Sequence, residues 1–536
     1  PAQAAGRGGA NPFLGRMDAD TAYAFANLQR MPDDVIDRLW KVNDAGAEGS
    51  RQVFETLAED ENVTPEMRAL YEELSRISTR EGWESAGLHA NPYYAIHGAS
   101  MMPMMHLELA DGDAFAGFIA RIEASLEKPL ARRDVEGEQV LWLGVEQGLG
   151  LAIHHDDEAV TAALVPDDAA MLARVAGGYA PVEPMQAGTL AEFFDQAGFA
   201  SGSGGYIDWR RVVDQVLAED SAIAALDEHG GAEALRSEPA CVAEFRALAE
   251  TLPRMILGYT QINAQATEFL LRQEMSPDLG ARLAPVARAP VAVDRELDGL
   301  FNVGLAIDLV AGREFARSLV DGWIENPPQC AAFSEIANNA PAWKESLSRP
   351  IPPVVTNLHG LFLDADSLEI GDGALPTGGG TLSLYMNNPQ LLVGMAQMFS
   401  PAVAELKLEP GGEPVKVPPG TIPQLEQAEL EAWLAMAESA LGIAIGAEHV
   451  DALSKSVRAT AVDDLLLAAK MDFRILETLL DFSESTLSDI EGVDAEQALA
   501  AQRAQYRAMA EAYEKGDFRL RLGESGVEIT GRTTFR

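Results

Sequence analysis

Methionine and histidine side chains are concentrated in one stretch, Met101–His106 (MMPMMH), with His97 shortly before it. Thioether sulfurs and imidazole nitrogens suit Cu(I), so His97, Met102, Met104 and His106 are candidate copper ligands. On a strand, however, alternate side chains point to opposite faces, which leaves only half of the four methionines on either face. Methionine is also a common filler of hydrophobic cores. We therefore expect these residues to pack in a core, with a copper site as the alternative.

A second group of ligand-type side chains, HHDDE, runs from His154 to Glu158. Its candidate ligands for a divalent ion are His154 and Asp156. The pattern predicts a tight turn between two strands, and adjacent histidines on a strand point to opposite faces. A solvated turn is the expected structure, with adventitious binding of a divalent metal as the alternative.

The usual signatures of catalysis do not occur in the sequence. It contains no HExxH zinc motif, no GxSxG nucleophile elbow, no P-loop lysine and no dinucleotide fingerprint in a βαβ setting. The sequence therefore predicts no catalytic residue and no cofactor, and it favours a non-catalytic protein. The alternative is a hydrolase or a metal-binding periplasmic protein, holding copper or a divalent ion, of an unfamiliar type.

Acidic side chains dominate the composition: 83 Asp and Glu stand against 40 Lys and Arg among 536 residues, a formal net charge of −43. Binding to a phosphate backbone requires clustered Lys and Arg, which the sequence does not show. Nucleic acid is therefore excluded as an expected partner. The acidity favours solubility, with a cationic partner or loosely held divalent ions as alternatives.

The chain has only two cysteines, Cys241 and Cys330. This number excludes zinc sites built from pairs of CxxC motifs. In an oxidising compartment the two thiols would form one disulfide that closes a long loop, and this is the expected state. Two separate buried thiols are the alternative.

The first residues, Pro1–Arg16, are mostly small, rich in Gly and Ala and without apolar periodicity. They resemble the segment that follows the cleavage site of a bacterial lipoprotein, so we expect residues 1–18 to form a flexible tether. No charge-free apolar run reaches the roughly 18 residues that a membrane-spanning helix requires. The expected protein is exported and periplasmic, and it meets the outer membrane only through an N-terminal lipid.

Strand and helix patterns recur in a fixed order along the chain. Two short strands within residues 92–110 precede Asp111 and an amphipathic helix. The same order of apolar strand, Asp or Asn, and amphipathic helix returns at Asp308, Asn388 and Asp472. Each of these polar residues is expected to cap its helix, because its side chain can accept from the first free N–H groups.

Three further helices are predicted between the first and second of these modules. They lie at Trp209–Leu217 and near Pro239–Leu252 and Gln265–Glu274.

The modules predict an α+β fold with mainly antiparallel sheets and helices packed on one face. Many neighbouring strands lie too close in sequence for crossover helices, which disfavours the competing doubly wound parallel sheet. Because 536 residues exceed the size at which one core keeps growing, two pseudo-similar halves are expected. The predicted domains are α+β units at 19–295 and 296–536, the second of which ends in a β-hairpin.

Several segments resemble a family of proteobacterial periplasmic lipoproteins of unknown function. They are ADTAYAFANLQRMP, the strands and LELAD helix start described above, GYIDWRR after a Gly-rich loop, CAAFSEI and PIPPVVTNLHG. The resemblance spans most of the chain, and its motifs are structural rather than catalytic. It implies an exported two-part α+β protein and carries over no functional residue.

The expected function is that of a non-catalytic binding or scaffold protein of the bacterial cell envelope. It rests on the exported start, the strand–helix modules and the lack of a catalytic constellation. Such a protein would use a groove or an exposed sheet edge to bind a protein partner in the envelope.

Overall fold

Residues 94–124 form the two strands and the helix that the sequence predicts in this stretch. In a computed structural model of the chain, β2 (Tyr94–Ala99) and β3 (Met102–Glu108) pair as an antiparallel hairpin, and α4 (Gly112–Ala124) follows. Ser100 and Met101 form the turn with positive φ angles of 49° and 71°, which is how the chain reverses within two residues.

The structure describes most of the chain. The described residues are 11–59, 63–126, 128–145, 148–177, 181, 183–200, 202–218, 231–287, 294–297, 299–368, 378–399, 401–411, 413–419, 421, 425, 430–459, 462, 464–476, 478 and 495–536.

The chain divides into two compact units. Unit 1 comprises Pro1–Glu274 together with Glu496–Ala512, and unit 2 comprises Met275–Ala495 together with Tyr513–Arg536. The domain limits predicted from the sequence, 19–295 and 296–536, stay predictions.

Unit 1 is a mixture of helices and strands. Its helices are α1 (Asp33–Glu59), α2 (Pro65–Arg76), α3 (Arg80–Ser85), α4, α5 (Ala169–Val175), α6 (Ala187–Ala197), α7 (Trp209–Val216), α8 (Gly231–Ser237) and α9 (Pro239–Thr251), with a 3₁₀ turn at Leu14–Arg16. Its strands are β1 (Tyr23–Ala26), β2, β3, β4 (Ala131–Val135), β5 (Glu138–Gly144), β6 (Leu149–His155), β7 (Ala159–Pro166), β8 (Gly204–Asp208), β9 (Arg254–Ile262) and β10 (Ala266–Glu274).

The strands of unit 1 pair in the order β10-β9-β8-β1-β2-β3-β7-β6-β5-β4, and every pairing is antiparallel. The prediction of a mixed α+β fold with antiparallel sheets is therefore confirmed. The helix predicted near Gln265–Glu274 is wrong, because these residues form β10. Its partner β9 is joined to it by a turn in which the Asn263 side chain accepts from the N–H groups of Gln265 and Ala266.

Helices pack on both faces of this sheet, so the prediction of helices on one face is wrong. On β5, Leu141 and Leu143 belong to the core that contains α4, whereas Val140 and Trp142 belong to the core that contains α5. All four side chains are buried. A run of consecutive apolar residues, rather than an alternating one, is the sequence pattern of a strand covered on both sides.

The segment Asn11–Asp18 packs against unit 1. Phe13, Leu14 and Met17 are buried in the same core as Phe194 and Tyr206. This packing differs from the flexible tether predicted for residues 1–18, whose first ten residues lie outside the described part of the chain. Large apolar side chains late in a Gly/Ala-rich leader explain the difference, since they gain free energy by burial.

Unit 2 is also a mixture of helices and strands. Its helices are α10 (Pro277–Leu283), α11 (Leu309–Glu325), α12 (Ser334–Ser348), α13 (Pro353–Thr356), α14 (Pro389–Phe399), α15 (Pro401–Ala404) and α16 (Val450–Ser456), with 3₁₀ turns at Ala284–Ala287, Ala331–Phe333 and Ala447–His449. Its strands are β11 (Phe301–Ala306), β12 (Leu358–Ala365), β13 (Gly380–Met386), β14 (Val415–Lys416), β15 (Ala432–Met436), β16 (Ala440–Ile445), β17 (Leu465–Asp472), β18 (Tyr513–Gly523) and β19 (Gly526–Phe535).

These strands pair in the order β19-β18-β17-β11-β12-β13-β16-β15-β14, again antiparallel throughout. The long helix α17 (Ala495–Ala512) precedes β18 in sequence, but nearly all of it groups with unit 1. The predicted C-terminal hairpin is present as β18 and β19.

All four predicted caps form. Asp111 accepts from the N–H of Ala114 at 2.9 Å. Asp308, Asn388 and Asp472 each accept from an N–H two or three residues ahead, at 2.9–3.2 Å. A polar side chain after an apolar strand therefore marks the start of a helical turn at each of these places.

Cys241 and Cys330 form a disulfide, as predicted. Both residues are 1% exposed, so the bond is shielded from solvent. Within the described residues, none of the helices combines the length and apolar composition needed to cross a membrane.

Candidate functional site

His97 and His106, two of the predicted copper ligands, lie side by side in the core of unit 1. Their positions on β2 and β3 place both on the face that also carries Met102 and Met104. The two Nε2 atoms are 3.2 Å apart, the rings stack at 5.4 Å between centroids, and each residue is 1% exposed. The four candidate residues therefore share one face of the hairpin, as strand alternation allows, and the two histidines are in contact.

A chain of hydrogen bonds links the histidine pair to Thr161 and Arg16. The Arg16 guanidinium donates to Thr161 Oγ1 at 3.4 Å, and this hydroxyl lies 2.9 Å from His106 Nδ1. This arrangement favours a hydroxyl that donates to Nδ1, so that His106 carries its proton on Nε2 and donates to His97. The proton of His97 then lies on Nδ1.

Both imidazoles are held neutral by their surroundings. Burial lowers the pKa of His97 to about 4, and the positive charge of Arg174 acts in the same direction. Burial also lowers the pKa of His106 to about 3, assisted by His97 and Arg16. A stacked ring of Phe13 covers His106 at 5.8 Å. The two histidines therefore form a hydrogen bond inside the core, where a substrate cannot reach them.

The spacing of the pair bears on the copper hypothesis. A metal ion with bonds of about 2.0 Å to two imidazole nitrogens separates them by about 4 Å when the coordination is linear and by about 3.3 Å at a tetrahedral angle. The observed 3.2 Å fits the hydrogen bond between the two rings. Copper binding here stays a hypothesis.

His154 and Asp156, the other metal candidates, lie at and just after the end of β6. His154 Nδ1 is 3.0 Å from the carbonyl oxygen of Gln139, and Asp156 accepts from the N–H groups of Glu158 and Ala159. The ring of His155 packs against the ring of Phe115 on α4 in a T-shaped arrangement, on the face of β6 opposite to His154. In the described part of the chain, no three His, Cys, Asp or Glu side chains are grouped to hold a metal ion.

A polar pocket of about 610 Å³ lies at the start of α1. Most of its charged groups already have partners within the protein: the Arg80 guanidinium binds Asp37 at 2.6 Å and Glu84 at 3.0 Å, and His89 contacts Arg30. Burial, followed by the charge of Arg30, lowers the pKa of His89. Because these groups bind one another, few of them remain available to recognise a polar ligand.

An apolar pocket of about 420 Å³ lies between α7, α8 and α9 of unit 1. Ligand pockets usually measure about 300–1,000 Å³. Ten of its eleven lining side chains are apolar; they are Trp209, Val212, Val213, Val216, Leu217, Leu235, Phe245, Leu248, Ala249 and Leu252.

The one polar lining residue, Gln273 on β10, is fully hydrogen-bonded. Its carbonyl oxygen accepts from the indole N–H of Trp209 at 3.1 Å. Its amide nitrogen donates to the carbonyl oxygens of Arg254 and Glu274 at 3.2 and 2.9 Å. The pocket therefore offers no free polar side chain to a ligand.

The helix α7 exposes its apolar face toward this pocket. None of its residues is buried, although Trp209, Val212, Val213 and Val216 recur at helical spacing on one side. Leu248 of α9 is 47% exposed. An amphipathic helix whose apolar side is only partly buried is a common sign of a binding surface.

The sequence located the helix but not the pocket. The pattern of Trp209–Leu217 predicts α7, and the confirmed helix near Pro239–Leu252 supplies the opposite wall. The sequence pattern assigned Gln273 to a helix, so it gave no reason to expect this residue beside Trp209. The usable signal was the unusual run WRRVVDQVL, in which charged and apolar residues separate cleanly at helical spacing.

Comparison of the sequence with protein-family models gave no match. Comparison with curated proteins gave no match either.

Proposed function

We propose that this chain is a non-catalytic binding protein of the bacterial cell envelope whose ligand places an apolar chain in the pocket of unit 1. The observation that carries the proposal is a ligand-sized cavity with ten apolar lining residues and one satisfied amide. Burying apolar surface there is favourable by roughly 25 cal/mol per Å².

The chemistry of the lining selects the class of ligand. A peptide backbone inserted into this pocket would leave its N–H and C=O groups without partners, at a cost of about 1–3 kcal/mol each. A hydrocarbon chain has no such groups. An acyl chain, with its polar head outside the pocket, is therefore the ligand that fits best.

The proposed place of action is the periplasm, with an N-terminal lipid as anchor to the outer membrane. The buried disulfide supports an oxidising compartment. A scaffold role toward a protein partner in the envelope is part of the same proposal. The acyl group would belong to that partner or to a free lipid, and the protein itself would meet the membrane only through its tether.

We also propose that the two units are pseudo-similar halves. The pairing order β9-β8-β1-β2-β3-β7 of unit 1 corresponds to β18-β17-β11-β12-β13-β16 of unit 2. In both, the first strand lies in the middle of this order, and a β-hairpin follows at one end. A shared topology supports growth of the chain by duplication of one binding module.

Titration with cis-parinaric acid, a fluorescent fatty acid, tests the pocket. The full chain should bind it saturably, with fluorescence rising as the probe leaves water. Val216→Glu should weaken binding by about tenfold or more, because a carboxylate in an apolar pocket must be desolvated.

Val145→Glu is the matched control. Val145 is 38% exposed in unit 1 and does not line the pocket, so the same change there should leave binding intact. Absence of saturable binding, or equal loss in both variants, would contradict the proposal. Circular dichroism of both variants establishes that they are folded.

A further inference from the structure

A second cavity, of about 240 Å³, lies in unit 2 on one face of strands β17, β18 and β19. Four basic side chains line it: Lys470, Lys515, Arg519 and Arg532. They come from three strands, and only Lys515 and Arg519 are close in sequence. In a protein of net charge −43, such a concentration of positive charge is unexpected.

Two of these cations are neutralised by carboxylates. Lys470 binds Asp294 at 2.6 Å, and Arg519 binds Asp294 at 3.1 Å. Arg519 also forms a two-pronged contact with Asp517, at 3.0 Å from Nε and 2.9 Å from Nη2. Both oxygens of Asp517 are thus held by the Arg519 fork.

The other two cations have no carboxylate partner within ion-pair distance in the described part of the chain. Lys515 Nζ reaches only the carbonyl oxygen of Leu297, at 3.4 Å. Arg532 lies directly across from Asp517 in the β18–β19 register, but that carboxylate is already engaged by Arg519. Among the described residues, Lys515 and Arg532 are therefore without an ion-pair partner at one cavity, whose lining also includes the carboxylate of Glu296.

From this arrangement we propose that the cavity binds a phosphate dianion, either free or as the monoester group of a small molecule. Two cations without an ion-pair partner attract an anionic group, and the guanidinium of Arg532 can donate two parallel hydrogen bonds to phosphate oxygens. The volume of the cavity suits a phosphate group rather than a whole drug-sized ligand. A polyanion is disfavoured, since the rest of the chain repels it.

Isothermal titration calorimetry of the full chain with inorganic phosphate at low ionic strength tests the proposal. Saturable binding is expected, and added NaCl should weaken it because the site is open to solvent. Arg532→Ala should weaken binding by roughly tenfold, and Lys515→Ala should act in the same direction.

Arg521→Ala is the matched control. Arg521 lies on β18 as well but does not line the cavity, so its loss changes the net charge equally and should leave phosphate affinity unchanged. The proposal would be overturned if no saturable heat appeared up to a phosphate concentration about ten times that of the chloride-free buffer. Equal weakening of binding by Arg521→Ala and Arg532→Ala would also overturn it. Unchanged thermal unfolding of the variants without phosphate verifies their folding.

A parallel titration with glycerol 3-phosphate distinguishes the two sources of the dianion. Tighter binding than inorganic phosphate supports a monoester ligand, and equal or weaker binding supports free phosphate. The cavity and the apolar pocket use different residues, so the phosphate test can fail without affecting the fatty-acid test.

Discussion

Burial of His97 beside His106 makes the stability of the fold depend on pH. Each folded-state pKa, about 4 and about 3, lies below the value near 6.5 expected in the unfolded chain. As the pH falls below 6.5, the unfolded state takes up protons that the folded state cannot accept. The contribution of the pair to stability is therefore complete above pH 6.5 and is lost progressively from there toward pH 3.

His106→Gln should flatten this dependence. The variant loses packing and is expected to be less stable than the parent at pH 7, but the deficit should shrink by roughly 3 kcal/mol at pH 4 because one buried base is gone. Urea unfolding at the two pH values measures the change. The numerous carboxylates titrate in both proteins alike, so the difference between them reports on the histidine.

Ile153→Val serves as control for the same measurement. Ile153 is a buried residue without a titratable group, so the deficit of this variant should be the same at both pH values. If the curves for His106→Gln and the parent stay parallel instead, the pair is not held neutral in the core.

The caps show what the sequence predicts well about the elements. Asp111, Asp308, Asn388 and Asp472 were identified by their position between an apolar strand and an amphipathic helix, and all four accept the expected hydrogen bonds. Capping depends on residues two or three positions apart, so local sequence contains all the information required.

Asp111→Ala therefore should lower the free energy of unfolding by about 1 kcal/mol. Asp111→Asn retains an acceptor oxygen and loses only the charge that favours the positive end of the α4 dipole, so its loss should be a few tenths of a kcal/mol. Urea unfolding measures both. Equal losses would show that charge, rather than the hydrogen bond to Ala114, provides the stabilisation.

Strand β10 shows where local sequence is insufficient. Its residues, ATEFLLRQE, include several good helix formers, yet they pair with β9 and place Arg254 opposite Glu274 in a 2.9 Å ion pair. Tertiary pairing overrides intrinsic propensity in such a segment. Because Gln273 lies on this strand, the error also hid one wall of the apolar pocket.

The same limit explains why the sequence did not reveal the cavity of unit 2 that is lined by basic side chains. Lys515, Asp517 and Arg519 alternate along β18 and share a face, which a strand pattern reveals. Lys470 and Arg532 join them only through the register of β17 and β19. Register depends on pairing between distant strands, so sequence periodicity alone could not bring these residues together.

On the scale of the whole molecule, the acidity and the disulfide have separate consequences. A net charge of −43 favours solubility and repels large polyanions, and the basic lining of the cavity in unit 2 contrasts with this average charge. The disulfide instead acts on the unfolded chain, because it closes a loop of roughly 90 residues whose entropy would otherwise favour unfolding.

Replacing both cysteines, in a Cys241→Ser and Cys330→Ser variant, should lower the free energy of unfolding by about 4 kcal/mol. Both residues are 1% exposed, so dithiothreitol should reduce the parent slowly in buffer and quickly once urea opens the fold. The double variant should show one urea midpoint with or without reductant, and the parent should fall to that midpoint only when reduced. If the urea midpoint of the parent is the same with and without reductant, the disulfide adds no stability. The thermodynamic reason for this protein to fold in an oxidising compartment would then be removed.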